Sequence, residues 1–169
     1  AAGNEGTDVV DAIPAAIPEV ISVGAVNPPG GWSPGLTWFS NRGTRLDVLA
    51  PGKDILSLYA AGTAGSPVES HYARMEGTSM AAPHVAGVAA LLLSRNPGLS
   101  VEAVRQLLRS TAKPDSSDPL VVAGGLGLVD ADAALAETRV LEAHLSRPYP
   151  GEKITAPIEI QGTIRGQGV

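Results

Sequence analysis

Ser79 and the residues around it, GTSMAAPHVAG from Gly77 to Gly87, carry the strongest chemical signal in this chain. They read as a nucleophilic hydroxyl mounted at the start of an apolar helix. There the free N–H groups and the positive end of the helix dipole suit an oxyanion forming beside the serine. Thr78 adds a hydroxyl donor at the same place. A lone Gly-Thr-Ser would serve equally well as an ordinary helix cap, so the case rests on the whole stretch. Acyl transfer through a serine also needs a base, and an acid to orient that base. His84 lies inside the helix with its side chain expected to point away from Ser79, His71 sits in a loop, and His144 falls on the polar side of a final helix. None of the three is in place to be the base.

The elements that must hold Ser79 alternate between strand and helix. Val20 to Val26 is apolar on both faces, the mark of a parallel strand covered on two sides. Leu46 to Ala50 and Ile55 to Tyr59 read the same way, with Pro51-Gly52 between them. Residues 27 to 36 and 60 to 67 are turn-rich. From Ser79 to Arg95 the residues are apolar nearly all round, which predicts a helix buried in a core and stopped at Asn96-Pro97-Gly98. Pro83 is close enough to the first turn to cost little. Ser100 should cap an amphipathic helix with Val101, Val104, Leu107 and Leu108 on its apolar face. A short strand at Leu120 to Val122 and another within residues 124 to 129 precede a third helix, capped by Asp130 and running towards Leu145. Strands interleaved with helices predict an α/β layered fold. From Ile154 to Ile164 the character changes to alternating apolar residues, as if a new strand begins.

Composition narrows the function classes. The chain has 169 residues, 44% of them hydrophobic, which is enough for one domain with a core. Its 20 Gly and 14 Pro stay below the roughly 25–30% that marks low complexity. A net charge of −5 without a run of Lys or Arg disfavours nucleic acid and anionic membranes as partners. The longest apolar run, Val85 to Leu93, contains Gly87 and is far shorter than the ~20 residues of a membrane span. No segment with a basic start and an apolar core opens the chain. The absence of Cys excludes disulfides and thiolate metal sites.

GTSMAAPHVAG resembles the serine motif of the subtilisin-like serine proteases, and AAGNEG at residues 1 to 6 resembles their oxyanion-hole segment. Agreement continues through Ser22 to Val26, Phe39-Ser40 with Gly43, Leu46 to Gly52, and Gly125 to Asp130. The resemblance implies the carboxy-terminal portion of a three-layer, parallel-sheet subtilisin-like fold over residues 1–137. Residues 138–153 are expected to form a terminal helix and linker, and 154–169 the first strand of an appended β-sandwich domain. It further implies that Ser79 is the nucleophile, that Asn4 and the Ser79 N–H receive the oxyanion, and that Ala1, Ala2 and Gly3, with Thr78, contact substrate. Met80 would then be an oxidation-sensitive neighbour of the nucleophile. Glu76 stands where relatives often carry Asn, as a solvated carboxylate or one that disfavours acidic substrates.

In that family the acid and base precede the serine in the order Asp, His, Ser, and neither motif is in this chain. The resemblance therefore implies a polypeptide substrate, an amino-terminal segment carrying Asp and His, and secretion. The chemistry requires no cofactor or metal. Ala15, Ile17 and Val20 align with carbonyls through which relatives bind a cation, so structural calcium stays open. Two other readings remain. The 169-residue chain is expected to be inactive alone, as a fragment or a complementing subunit. An α/β-hydrolase esterase would use Gly77, Ser79, Asp130 and His144 in that order, but Ala81 replaces the last glycine of its elbow.

Overall fold

The computed structural model describes residues 1–27, 35–60, 71–114, 127–137, 139–147 and 154–168. The turn-rich stretches 27–36 and 60–67 lie mostly outside these, as do the expected strand at Leu120–Val122 and the linker 148–153.

Strands β1 (Val23–Val26) and β2 (Val48–Pro51) run parallel, Val23 opposite Val48. All four residues of β1 are buried, so both faces of the strand are covered, as its unbroken apolar sequence requires. Helices α1 (Thr78–Arg95) and α2 (Val101–Ser110) cover one face. There Val23, Ala25, Val48 and Ala50 pack with Val85, Val88 and Leu92 of α1 and with Val104, Leu107 and Leu108 of α2. The other face packs Val26 and Leu49 with Ala2, Val9, Ala15 and Leu46. Beside β2 lie β6 (Gly127–Leu128), parallel to it, and β5 (Lys113–Pro114), antiparallel to β6. The sheet order is β1-β2-β6-β5, an α/β arrangement with parallel strands at its centre.

Capping follows the sequence. Ser100 Oγ accepts from the Ala103 N–H at 3.0 Å to start α2, and Asp130 Oδ1 accepts from the Ala133 N–H at 3.0 Å to start α3 (Ala131–Ala136). Val101 is 63% exposed, so it lies off the apolar face to which its spacing assigned it.

Four expectations are corrected. Ile55–Leu58 (β3) does not enter the parallel sheet; it pairs antiparallel with β4 (Tyr72–Met75), and Leu56 and Leu58 are exposed. Apolar residues alone did not decide burial there. Helix α1 is buried along Thr78, Ala81, Val85, Val88 and Leu92 only, while Pro83, Ala86, Gly87, Ala90 and Leu91 are exposed. The third helix ends at Ala136, and Arg139–Arg147 forms strand β7, which removes His144 from a helix. Leu141, Ala143 and Leu145 alternate with Glu142, His144 and Ser146, a period of two that suits a strand better than the helix propensity of Leu, Ala and Glu suggests. Its partner is β8 (Gln161–Gly168), antiparallel, with a register shift between Leu145 and Arg147. Strand structure near the end thus starts at Gln161 rather than Ile154, and it pairs back onto β7.

Asp47 ties α2 to the sheet. Its carboxylate accepts from the Ser22 N–H at 2.8 Å and meets Arg105 and Arg109, each at 3.4 Å. Burial pushes the Asp47 carboxyl above its ordinary value, opposed by the Ser22 N–H and then by the two guanidinium groups. Charging Asp47 therefore costs the fold stability as pH rises through and above the ordinary carboxylate range. Without Arg105 that cost grows. Arg105→Ala is expected to destabilise by about 3 kcal/mol near pH 7 and by progressively less as pH falls into the carboxylate range, because protonation of Asp47 removes its need for a partner. Urea midpoints at neutral pH and within that range measure this, and equal losses at both would contradict it.

Candidate active site

Ser79 lies in the first turn of α1 and is exposed. The helix starts where it does because of Gly77, whose φ of 145° and ψ of 161° are essentially confined to glycine. Gly77 is in turn set by the sheet. Its N–H donates to the Gly52 carbonyl at 2.8 Å, and the Gly52 N–H donates to Val26 at the end of β1 at 3.1 Å. A Cβ on Gly52 would stand 2.5 Å from Ala25 Cβ and 2.9 Å from the Gly77 carbonyl. That approach is open to glycine alone.

The first turn of a helix leaves N–H groups without intrahelical partners. Here the Thr78 N–H donates to Asn4 Oδ1 at 2.8 Å, and the Met80 N–H donates to the Gly77 carbonyl at 3.0 Å. Between them, the Ser79 N–H has no partner among the described residues. The buried Thr78 hydroxyl donates to the same Asn4 Oδ1 at 3.0 Å and accepts from the Gly3 N–H at 3.1 Å. Because a backbone N–H can only donate, the Asn4 atom facing it must be the oxygen. The amide nitrogen is left as the donor. A Cβ on Gly77 would lie 3.4 Å from that nitrogen, so Asn4 stands directly over the turn that carries Ser79. Two donors and the Ser79 hydroxyl are thus assembled from segments 74 residues apart.

Of the other expected contacts, Ala2 is fully buried in the core and its N–H donates to Val23 at 3.0 Å, so its methyl is not a pocket wall. Ala1 is exposed and Gly3 half-buried, so these two, and not Ala2, are open to a ligand along that edge. A cavity of about 410 Å³ opens beside Ser79, lined by Met80 and His84 of α1, Leu56 and Leu58 of β3 and Met75 of β4. His84 therefore shares a cavity with Ser79, although its side chain was expected to point away. Its Nδ1 lies 2.9 Å from the Met80 carbonyl, and among the described residues no hydrogen bond joins Ser79 Oγ to a histidine. Strand β4 was missed at the sequence level, where short mixed residues such as Tyr72-Ala73-Arg74-Met75 show no clear period. Glu76 is exposed.

Asp130 is occupied elsewhere, capping α3 and pairing with Lys113 Nζ at 2.7 Å. This removes the acid from the esterase reading. In the loop carrying Ala15, Ile17 and Val20, carbonyls between those positions are taken by guanidinium groups. Arg45 donates to the Ala16 carbonyl and Arg105 to the Pro18 carbonyl, both at 2.7 Å, and these two positive charges oppose a third beside them. Among the described residues no cluster of three His, Asp or Glu could supply other ligands.

Residues 1–147 match the subtilase family. The chain is 44% identical over 138 residues to an extracellular protease of Xanthomonas campestris, a match covering 80% of the chain and 22% of that protein. It is 39% identical over 163 residues to an extracellular basic protease of Dichelobacter nodosus, covering 94% and 25%. A solved protease structure from Pseudoalteromonas arctica superposes with a TM-score of 0.67 at 33% identity, covering 80% of this chain and 40% of that one. The chain thus spans about a quarter of the length of these two curated relatives.

The backbone of Gly77 gives the site a direct test. Gly77→Ala places a Cβ at a φ that disfavours it and against the Asn4 amide, and is expected to cost about 1–3 kcal/mol. Gly87→Ala, whose Cβ would meet nothing within 4 Å, should instead stabilise by up to about 1 kcal/mol through helix propensity. Urea unfolding of the two variants side by side checks both signs.

Proposed function

Because this chain belongs to the subtilase family, we propose that it is the carboxy-terminal part of a serine endopeptidase domain, with Ser79 as nucleophile and Asn4 as oxyanion donor. The observation that carries the reading is the pair of Thr78 bonds to Asn4 Oδ1, which commits the amide oxygen and leaves the nitrogen to donate beside Ser79. Ser79 Oγ attacks the scissile carbonyl while a histidine takes its proton and an aspartate orients that histidine. The tetrahedral oxyanion forms between the Ser79 N–H and Asn4 Nδ2, collapse expels the amine, and water then hydrolyses the acyl-serine. Ala1 and Gly3 border the substrate, and Thr78 acts by holding Asn4.

The aspartate and histidine come from an amino-terminal segment, in the same polypeptide or in a complementing one. Two features support this. The exposed apolar residues of α1, including Pro83, Ala86 and Leu91, leave a face that such a segment would cover. The cavity beside Ser79 opens where a base must arrive. The substrates are polypeptides, and secretion follows the relatives named as extracellular.

In the full-length protein a fluorophosphonate should label Ser79, and Ser79→Ala should abolish both labelling and peptide hydrolysis. Loss of one oxyanion donor costs about 10²- to 10³-fold in kcat in subtilisin itself, a figure taken from that relative rather than derived from this geometry. Asn4→Ala should fall in the same range. Disrupting the triad in subtilisin costs about 10⁶-fold, so the 169-residue chain alone should show no turnover. Hydrolysis by that chain, lost in Ser79→Ala, would contradict the need for an amino-terminal segment, and activity confined to esters would favour an esterase.

A further inference from the structure

Asn41, in the loop between β1 and β2, is 1% exposed, and every hydrogen bond of its side chain goes to the segment that carries Asn4. Its Oδ1 accepts from the Glu5 and Thr7 N–H groups, both at 3.1 Å, with the Thr7 hydroxyl at 3.4 Å. Its Nδ2 donates to the Ala2 carbonyl at 3.0 Å and to Glu5 Oε2 at 2.9 Å, while its backbone N–H donates to the Gly3 carbonyl at 3.0 Å. One side chain therefore grips the chain immediately before and immediately after Asn4. It touches neither Asn4's amide nor Ser79.

The fit is mutual. Gly3 has a φ of +104°, and a Cβ there would stand 2.3 Å from Asn41 Nδ2, so the amide occupies the space that a side chain at residue 3 would need. Only an amide of this length suits the site. Aspartate keeps the two acceptor bonds but sets a carboxylate against the Ala2 carbonyl and Glu5. Alanine leaves the buried Ala2 carbonyl without its partner, at a cost of about 1–3 kcal/mol, and frees the part-buried Glu5 and Thr7 N–H groups.

We propose that Asn41 is a positioning residue for the oxyanion site, fixing the Asn4 loop so that the Asn4 amide nitrogen meets the oxyanion only when the transition state forms. This rests on the assignment of Asn4 as oxyanion donor. Thr78 anchors the Asn4 side chain from the helix, and Asn41 anchors its backbone from the sheet. A donor displaced by about 1 Å loses much of its effect, and such misplacements cost up to about 10²-fold in rate. Ground-state binding does not use the oxyanion donors, and the bond from the Asn41 backbone N–H to the Gly3 carbonyl, which every Asn41 variant keeps, holds the substrate edge in place.

The test is a double-mutant cycle on peptide anilide hydrolysis by the full-length protein, with kcat and KM separated. Asn41→Ala should lower kcat about 10- to 100-fold with KM within about twofold. In an Asn4→Ala background the same change should cost less than about threefold, because residues acting through one interaction are not additive. Asn41→Asp, which keeps the size and both acceptors, should show the same pattern and carries the test where Asn41→Ala does not fold. An unchanged kcat, or an equal loss in both backgrounds, overturns the positioning role. If Asn4→Ala itself leaves kcat intact, the oxyanion assignment falls and this proposal falls with it.

Discussion

The contact on which the rest of the site depends is the one between Thr78 and the side chain of Asn4. A buried hydroxyl donates to Asn4 and accepts from Gly3, and the adjacent N–H donates to the same Asn4 oxygen. This satisfies one orphan donor of α1 and fixes the rotamer of Asn4. It also decides which end of the amide is left free on the side of Ser79. Were the amide reversed, the Thr78 N–H would face a second donor and the free end would be an oxygen.

That contact works only because both partners are registered to the sheet. Gly77 hangs from Gly52, which hangs from the end of β1, so the start of α1 is placed by backbone bonds that admit no Cβ at Gly52. Ala2 is bonded to Val23 and buried against Val26, Leu46 and Leu49, so the Asn4 segment is placed by the same strand from its other face. The core thus does more than stabilise. It brings a loop and a helix start to one corner and leaves their donors facing a common point. Preorganised donors of this kind cost no rearrangement when charge develops, which is the physical basis of their catalytic value.

Family membership was legible in the sequence because the motifs around Ser79 and Asn4 combine residue types that ordinary caps and loops seldom combine. The ends of α1 and α2 were legible because Asn96-Pro97-Gly98 and Ser100 act through local chemistry. Burial was not legible where a partner decides it. Helix α1 is apolar all round, yet only the row through Ala81, Val85, Val88 and Leu92 meets the sheet. Residues 139–147 carry helix-forming Leu, Ala and Glu but pair with β8 across a long sequence separation, which no local preference records. Asn41 left no signal at all. A polar residue in a loop looks solvated until the fold wraps a backbone around it.

The proposed oxyanion site, the Asn4 amide nitrogen together with the Ser79 N–H and held by Thr78, is best tested by a crystal structure of the full-length protein with a peptide boronate bound. The expected result is a covalent bond from Ser79 Oγ to boron, one boronate oxygen within hydrogen-bond distance of both Asn4 Nδ2 and the Ser79 N–H, and Asn4 Oδ1 still accepting from Thr78. A boronate oxygen directed away from Asn4, or an Asn4 side chain that has left Thr78, would contradict it.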